Sequence, residues 1–390
     1  MMKKFTLVAL LAIPLSVASV HAADLSQGIA NKVQRANTLQ QNEKLGEAIN
    51  LLKGLNPSRE YDKAYVQRML GVFYWQSGNK NQAITNLQNA VESGLLQDEQ
   101  AWVTRRMLAD ILLSSEKFRQ ALPHYYTLSK SVPENQNAAE LWLRIAQSHY
   151  QLEQWNDVLK AVAKRDRFLK KTDKHSLNMK LGAQLQLQQW KGAVPTLEAL
   201  IALEPNHVAW WQQLTGIQLR LGRSHDALNT MALAKRQGVA LTQRDLRSLA
   251  QLYAQRGIPE RAAQQIAELE GAESDSELLA IQAQYWQMAR EWEQAVKVWE
   301  LAANRDNKYR WQLAQLLLQE GHYRQALTQL QKVTDKRRAA DVELAKVRAY
   351  YKLTDFDKAI IHAKRADNIQ STSTSQSWIR YLNQMRKMDS

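Results

Sequence analysis

Small and large apolar residues recur along this chain at a spacing that one globular core would not produce. Ala48, Ala83, Ala121, Val158, Ala193, Ala227, Ala262, Ala295, Ala326 and Ala359 follow one another at gaps of 35, 38, 37, 35, 34, 35, 33, 31 and 33 residues. Four residues after each of these anchors stands Leu52, Leu87, Tyr125, Val162, Leu197, Met231, Ile266, Trp299, Leu330 or Ala363. A step of four keeps anchor and follower on one helical face. Twelve residues before each anchor comes a second, mostly small position: Ala36, Gly71, Ala109, Ala146, Leu181, Thr215, Ala250, Ala283, Ala314 and Val347. Two small positions at this separation suit two antiparallel helices whose backbones approach where they cross. Three residues before the anchor an aromatic appears six times (Phe118, Trp155, Trp190, Trp292, Tyr323 and Phe356), placed to plug the space between one helix pair and the next.

The breaks fall between these helices. Pro57, Pro133 and Pro205 follow second helices, where proline stops continuation, and Gly78, Gly222, Gly257 and Gly321 mark the turn inside a pair. Pro123 and Pro195 fall inside second helices, near their starts. Around Ala193 the first helix reads one residue out of phase, with Gly182 and Leu185 fitting better than Leu181 and Gln184. A regular period of this length predicts a solenoid whose units bury their apolar faces against one another.

The pattern resembles the tetratricopeptide repeat over residues 30 to 367. Its clearest copies run from Met69-Leu70-Gly71-Val72-Phe73-Tyr74 to Gly78 and Ala83, and from Leu249-Ala250-Gln251-Leu252-Tyr253 to Gly257 and Ala262. The resemblance implies an all-α, right-handed superhelical solenoid of about ten helix-turn-helix repeats over residues 23–370. Ser371 to Ser377 read as a Ser/Thr-rich linker. Trp378, Ile379, Leu382 and Met385 then form a C-terminal capping helix within 371–390, closing the apolar end of the stack.

Composition narrows the class. Among 390 residues, 45% are apolar, with only 14 glycines and 7 prolines, as a helical body requires. Residues 1–22 read as a signal peptide: Lys3 and Lys4 lead an apolar run from Phe5 to Val17, and Val20-His21-Ala22 gives the cleavage context. That run is shorter than the roughly 20 residues a span needs. The expected location is therefore the periplasm, with no membrane span in the mature chain. The chain has no cysteine, which excludes disulfides and thiolate metal sites. Its net charge of +14 becomes +12 without the signal, 50 basic residues against 38 acidic, and favours acidic partners. Export argues against nucleic acid.

No catalytic constellation is visible. No histidine pair has ligand spacing, and there is no H-E-x-x-H, acidic calcium loop, Gly-rich phosphate loop or G-x-S-x-G. His149 reads as a packed or surface histidine, and Trp155, Trp190, Trp292 and Trp299 read as core. A non-enzymatic protein without a cofactor is expected. In tetratricopeptide arrays the first helices line a concave groove. That face here carries Arg68, Trp75, Arg106, Gln147, Tyr150, Arg220, Arg244, Arg247, Gln251, Gln255, Gln284, Trp311, Gln315, Arg348, Tyr351 and Lys352. Arginine forks hold carboxylates, glutamine amides meet backbone groups and aromatic faces accept proline rings, so an extended peptide fits. The Lys and Asn clamp of chaperone-binding members is matched only in its basic part, by Arg244 and Arg247, with Gln251 in place of the Asn. As a whole the chain also resembles exported gammaproteobacterial repeat proteins associated with TonB–ExbB–ExbD systems for iron-complex uptake, most clearly at residues 68–76 and 252–263. That resemblance implies a scaffold gripping a segment of an envelope protein, with a TonB-type complex as partner. The alternative is an envelope structural or assembly factor that binds anionic lipid or polymer through the basic stretch Lys164, Arg165, Arg167, Lys170, Lys171 and Lys174.

Overall fold

The computed structural model describes residues 25–171 and 173–388, which form two compact units divided after Gln189. The signal-peptide reading of residues 1–22 lies outside the described residues. All regular elements among those described are helical.

Unit 1 holds four hairpins and a ninth helix. These are α1 (Gln27–Gln41) with α2 (Leu45–Lys53), α3 (Glu60–Gln76) with α4 (Lys80–Glu92), α5 (Asp98–Ser114) with α6 (Phe118–Leu128), α7 (Ala138–Gln151) with α8 (Trp155–Asp166), and α9 (Lys174–Gln186). Unit 2 begins with α10 (Trp190–Leu203). Five hairpins follow: α11 (Val208–Arg220) with α12 (Ser224–Arg236), α13 (Gln243–Gln255) with α14 (Pro259–Ala267), α15 (Ser276–Met288) with α16 (Trp292–Arg305), α17 (Arg310–Gln319) with α18 (Tyr323–Leu330), and α19 (Ala339–Lys352) with α20 (Phe356–Ile369). A final helix, α21 (Ser373–Met388), packs on α20.

The repeat positions are the core. All ten anchors have no exposed surface, and all ten followers are buried. The reason for small residues at the crossing is clearest at Gly71, where a Cβ would lie 2.5 Å from Leu87 Cγ and 3.1 Å from the Leu87 backbone nitrogen. The turn inside each pair is equally uniform. Five residues before every anchor stands a residue of positive φ: Glu43, Gly78, Glu116, Glu153, Gln188, Gly222, Gly257, Arg290, Gly321 or Thr354. The next residue's N–H returns to a carbonyl five positions back, as in Asn79 N to Tyr74 O at 2.8 Å and Glu291 N to Trp286 O at 3.0 Å. This is the Schellman closure of a helix end, and six of the ten copies make it without glycine.

Four expectations change. The first helix before Ala193 is not out of phase: Leu181 and Gln184 are the buried residues, and the turn at Gln188 keeps the common register. The six aromatics before the anchors are only half-buried, each the first residue of a second helix; Trp155 and Phe356 pack on their own hairpin, whereas Trp190 meets Arg220 of the following α11. Trp155 meets Tyr150 edge-on at 5.1 Å and Phe356 lies 6.1 Å from Tyr351. Of the four tryptophans read as core, Trp299 alone is fully buried, its Nε1 donating to Gln287 Oε1 at 2.7 Å. The Ser/Thr-rich segment is mostly helix. Thr372 and Ser375 cap α21 reciprocally, Ser375 N donating to Thr372 Oγ1 at 3.1 Å and Thr372 N to Ser375 Oγ at 3.0 Å. Leu382 then buries completely against Val347, Ala359, Ile360 and Ala363. Pro123 and Pro195 each occupy the sixth position of their helix on its exposed side, just past the first turn.

Candidate binding groove

The first helices of the last hairpins position the site. Arg310, at the start of α17, is buried and donates to Asn304 Oδ1 at 3.3 Å, Asn307 Oδ1 at 3.2 Å and Gln329 Oε1 at 2.7 Å, fixing α17 between α16 and α18. On α19, Glu343 is buried and accepts from Lys346 Nζ at 2.6 Å, and its other oxygen lies 2.6 Å from His362 Nδ1 on α20. Burial alone would raise the Glu343 carboxyl, but the bonds to Lys346 and His362 outweigh it and hold the group below the ordinary range. The His362 ring stacks on Tyr350 at 5.2 Å. With these residues fixing α17 and α19, the opposite faces of both helices are open.

Those faces form a cleft of about 570 Å³ lined by Trp311, Gln312, Gln315, Leu316, Leu318 and Gln319 of α17, Arg348, Tyr351 and Lys352 of α19, Trp378 of α21, Tyr323 and Gln287. A second hollow of about 470 Å³ shares Tyr351 and Trp378 and continues along α21 over Ser373, Thr374, Ser377 and Tyr381. The two are one groove crossing three helices. Tyr351 is its centre, meeting Trp378 edge-on at 5.4 Å and placing its hydroxyl 3.0 Å from that of Tyr381. That hydrogen bond pushes the Tyr381 hydroxyl above its ordinary range. The lining has no aspartate, glutamate or histidine. Among the described residues no cluster of His, Cys, Asp and Glu could hold a metal ion, and no helix is long and apolar enough to cross a membrane. Cations, amides and aromatic rings equip this groove to bind.

Of the sixteen residues predicted on the groove face, the structure brings Trp311, Gln315, Arg348, Tyr351 and Lys352 together here. The others are not among its lining residues. Arg244, Arg247, Gln251 and Gln255 stand exposed along α13, as does Gln284 on α15. Arg220 lies over the Trp190 ring at 4.5 Å. In unit 1 several are engaged within the chain. Arg68 Nε donates to Thr104 Oγ1 at 3.1 Å, Arg106 pairs with Asp110 at 2.9 Å, and Tyr150 packs against Trp155 in space that Gly182 leaves free. Gln147 is half-buried and Trp75 is exposed. His149 is buried between Tyr126 OH and Gln154 Oε1, each at 2.7 Å, as a packed histidine. In the basic stretch before α9, Arg165 is buried and bonds Ser176 Oγ and both oxygens of Asp173, at 2.9 and 2.5 Å, while Lys164 lies 4.4 Å over the Trp142 ring. Part of that positive charge is therefore neutralised or stacked internally. Sequence reasoning missed Tyr323, Gln319 and the inner face of α21. The spacing Thr374, Ser377, Trp378, Tyr381 was the available signal for the last.

Residues 312–373 match a tetratricopeptide repeat. The match covers most of α17 and all of α19, and ends where α21 begins. No curated protein sequence matches the chain. Among solved structures, a tetratricopeptide repeat protein from Parabacteroides merdae is 15% identical over 68% of this chain and 100% of its own, with a TM-score of 0.36. The C-terminal part of a tetratricopeptide repeat-containing protein from Cytophaga hutchinsonii is 13% identical over 70% and 99%, with a TM-score of 0.33. The anaphase-promoting-complex assembly Cut9–Hcn1 is 14% identical over 91% and 84%, with a TM-score of 0.28. Similarity this low carries no argument, and the fold rests on the uniform hairpins within each unit and the repeat match.

Proposed function

We propose that the protein is a non-enzymatic scaffold that holds an extended segment of another protein against the inner faces of α17, α19 and α21. The observation that carries this reading is the convergence of Trp311, Gln315, Arg348, Tyr351 and Lys352 with Trp378 on one open groove. Helix pairs of the tetratricopeptide type present such faces to protein partners, which supports the choice of a protein over a small metabolite.

The finer reading places the scaffold in the periplasm, with an envelope protein as occupant, assisting a TonB-type system of iron-complex uptake. Its support is the signal-like sequence of residues 1–22 and the likeness at residues 68–76 and 252–263. The test is co-purification of the full chain with a TonB–ExbB–ExbD complex, repeated with Arg348→Glu and Lys352→Glu together. Loss of the complex on charge reversal is expected. Retention by the double variant removes the groove from the mechanism, and absence of the complex from the native preparation removes this partner.

A further inference from the structure

The walls of the groove also specify what enters it. We infer that the occupant is an acidic segment with an aromatic or proline side chain about three residues from its carboxylate, an inference that rests on the peptide-binding reading above. Arg348 and Lys352 stand one turn apart on α19, both exposed and neither paired with a described acid. Some exposed cations of unit 2 do find partners: Lys308 lies 3.1 Å from Asp306 and Lys358 2.7 Å from Asp355. Two like charges at this spacing repel, and no acidic residue in the lining relieves them. An incoming carboxylate would, with the guanidinium as fork and the ammonium as point charge. Residues 310–390 carry 15 Lys and Arg against 8 Asp and Glu, so the surrounding field has the same sign.

Two further features complete the match. Gln312 Oε1 is buried at the lining with no hydrogen-bond partner, an acceptor that a backbone N–H of an extended chain can satisfy. Trp378 and Tyr351 meet edge to face and form an apolar wall beside the cations, suited to a ring. The spacing follows from geometry. Helices pack about 8–10 Å apart and an extended chain advances roughly 3.3 Å per residue. A ring seated over α21 therefore lies about three residues from a carboxylate held over α19.

The experiment is fluorescence anisotropy of labelled synthetic peptides against the purified full chain. The probe carries aspartate with phenylalanine three residues along, and its controls replace Asp by Lys or Phe by Ala. Either replacement should weaken binding about tenfold or more. Arg348→Glu with Lys352→Glu should invert the charge preference, so that the Lys peptide binds better, a gain no unfolded variant can give. Arg348→Lys should retain most of the affinity, and Trp378→Ala should weaken every peptide. If the Asp and Lys peptides bind alike and the double variant changes nothing, while Trp378→Ala still weakens both, the acidic occupant is wrong and the groove stands. If no peptide responds to Trp378→Ala or to charge reversal, the inference and the groove reading fall together.

Discussion

The ten identical turns allow backbone strain to be measured apart from packing. At Gly257 φ is +74° and a Cβ would meet nothing within 4 Å; at Arg290 φ is +60°, in the same turn of the hairpin that follows. The Arg290 side chain is exposed and makes no hydrogen bond or ion pair with a described residue. A left-handed backbone costs a residue with a side chain about 1–2 kcal/mol, while glycine loses about 0.5–1 kcal/mol more conformational entropy on folding. The difference leaves a net effect of about 0.5–1 kcal/mol, with opposite signs at the two sites. Gly257→Ala should destabilise unit 2 by that amount, and Arg290→Gly should stabilise it. Urea unfolding followed by tryptophan fluorescence is the assay, since Trp286, Trp292 and Trp299 surround the turn at Arg290. With a slope of about 3 kcal/mol per molar urea, midpoints should move roughly 0.2–0.3 M apart from the native value in opposite directions. Equal signs, or a neutral Gly257→Ala, would refute the claim that the turn conformation sets the cost.

Four other outcomes follow from particular positions. Gly71→Ala should destabilise by about 1–3 kcal/mol, because the new methyl overlaps Leu87. Gly216→Ala, in the open middle of α11 with nothing within 4 Å, should stabilise by about 0.5–1 kcal/mol; thermal melts of both check the contrast. Glu343→Gln should cost about 1–3 kcal/mol in urea unfolding, since Lys346 and His362 lose the buried charged acceptor they share; an unchanged midpoint would show that the cluster contributes nothing. The hydrogen bonds from Arg165 hold the Asp173 carboxyl at about 2 against an ordinary 3.8. A depressed carboxylate stabilises above its unfolded value and stops doing so as pH falls through its folded one. The stability gap between native protein and Asp173→Asn should therefore be constant above about pH 4 and close toward pH 2, as urea midpoints across that range will show.

What the sequence made legible and what it hid divide along one physical line. Anchors and crossing residues could be read because a backbone approach tight enough to exclude a methyl, as at Gly71, leaves few residue types in place. The turns were legible only where glycine marks them. Glu43, Glu116 and Arg290 take the same conformation, because the hairpin's packing and the bond closing the helix hold them there, and no residue type announces that. The misread phase at α9 has a similar cause. Gln184 is buried where an apolar residue was expected, and Gln218 is buried in the equivalent place of α11, satisfied by Thr230 Oγ1 at 2.9 Å. A glutamine therefore belongs in that column, and reading it as solvent-facing forced a shift that the chain does not make. The groove shows the limit most clearly. Register found Trp311, Gln315, Arg348, Tyr351 and Lys352, but register cannot tell a free cation from an engaged one. Arg106 could have been discounted from Asp110 four residues on, whereas Arg220 meets Trp190 from 30 residues away and gives no local sign. Arg348 and Lys352 stay open because no acid reaches them from their own helix or from α17 or α21, a property of three helices at once.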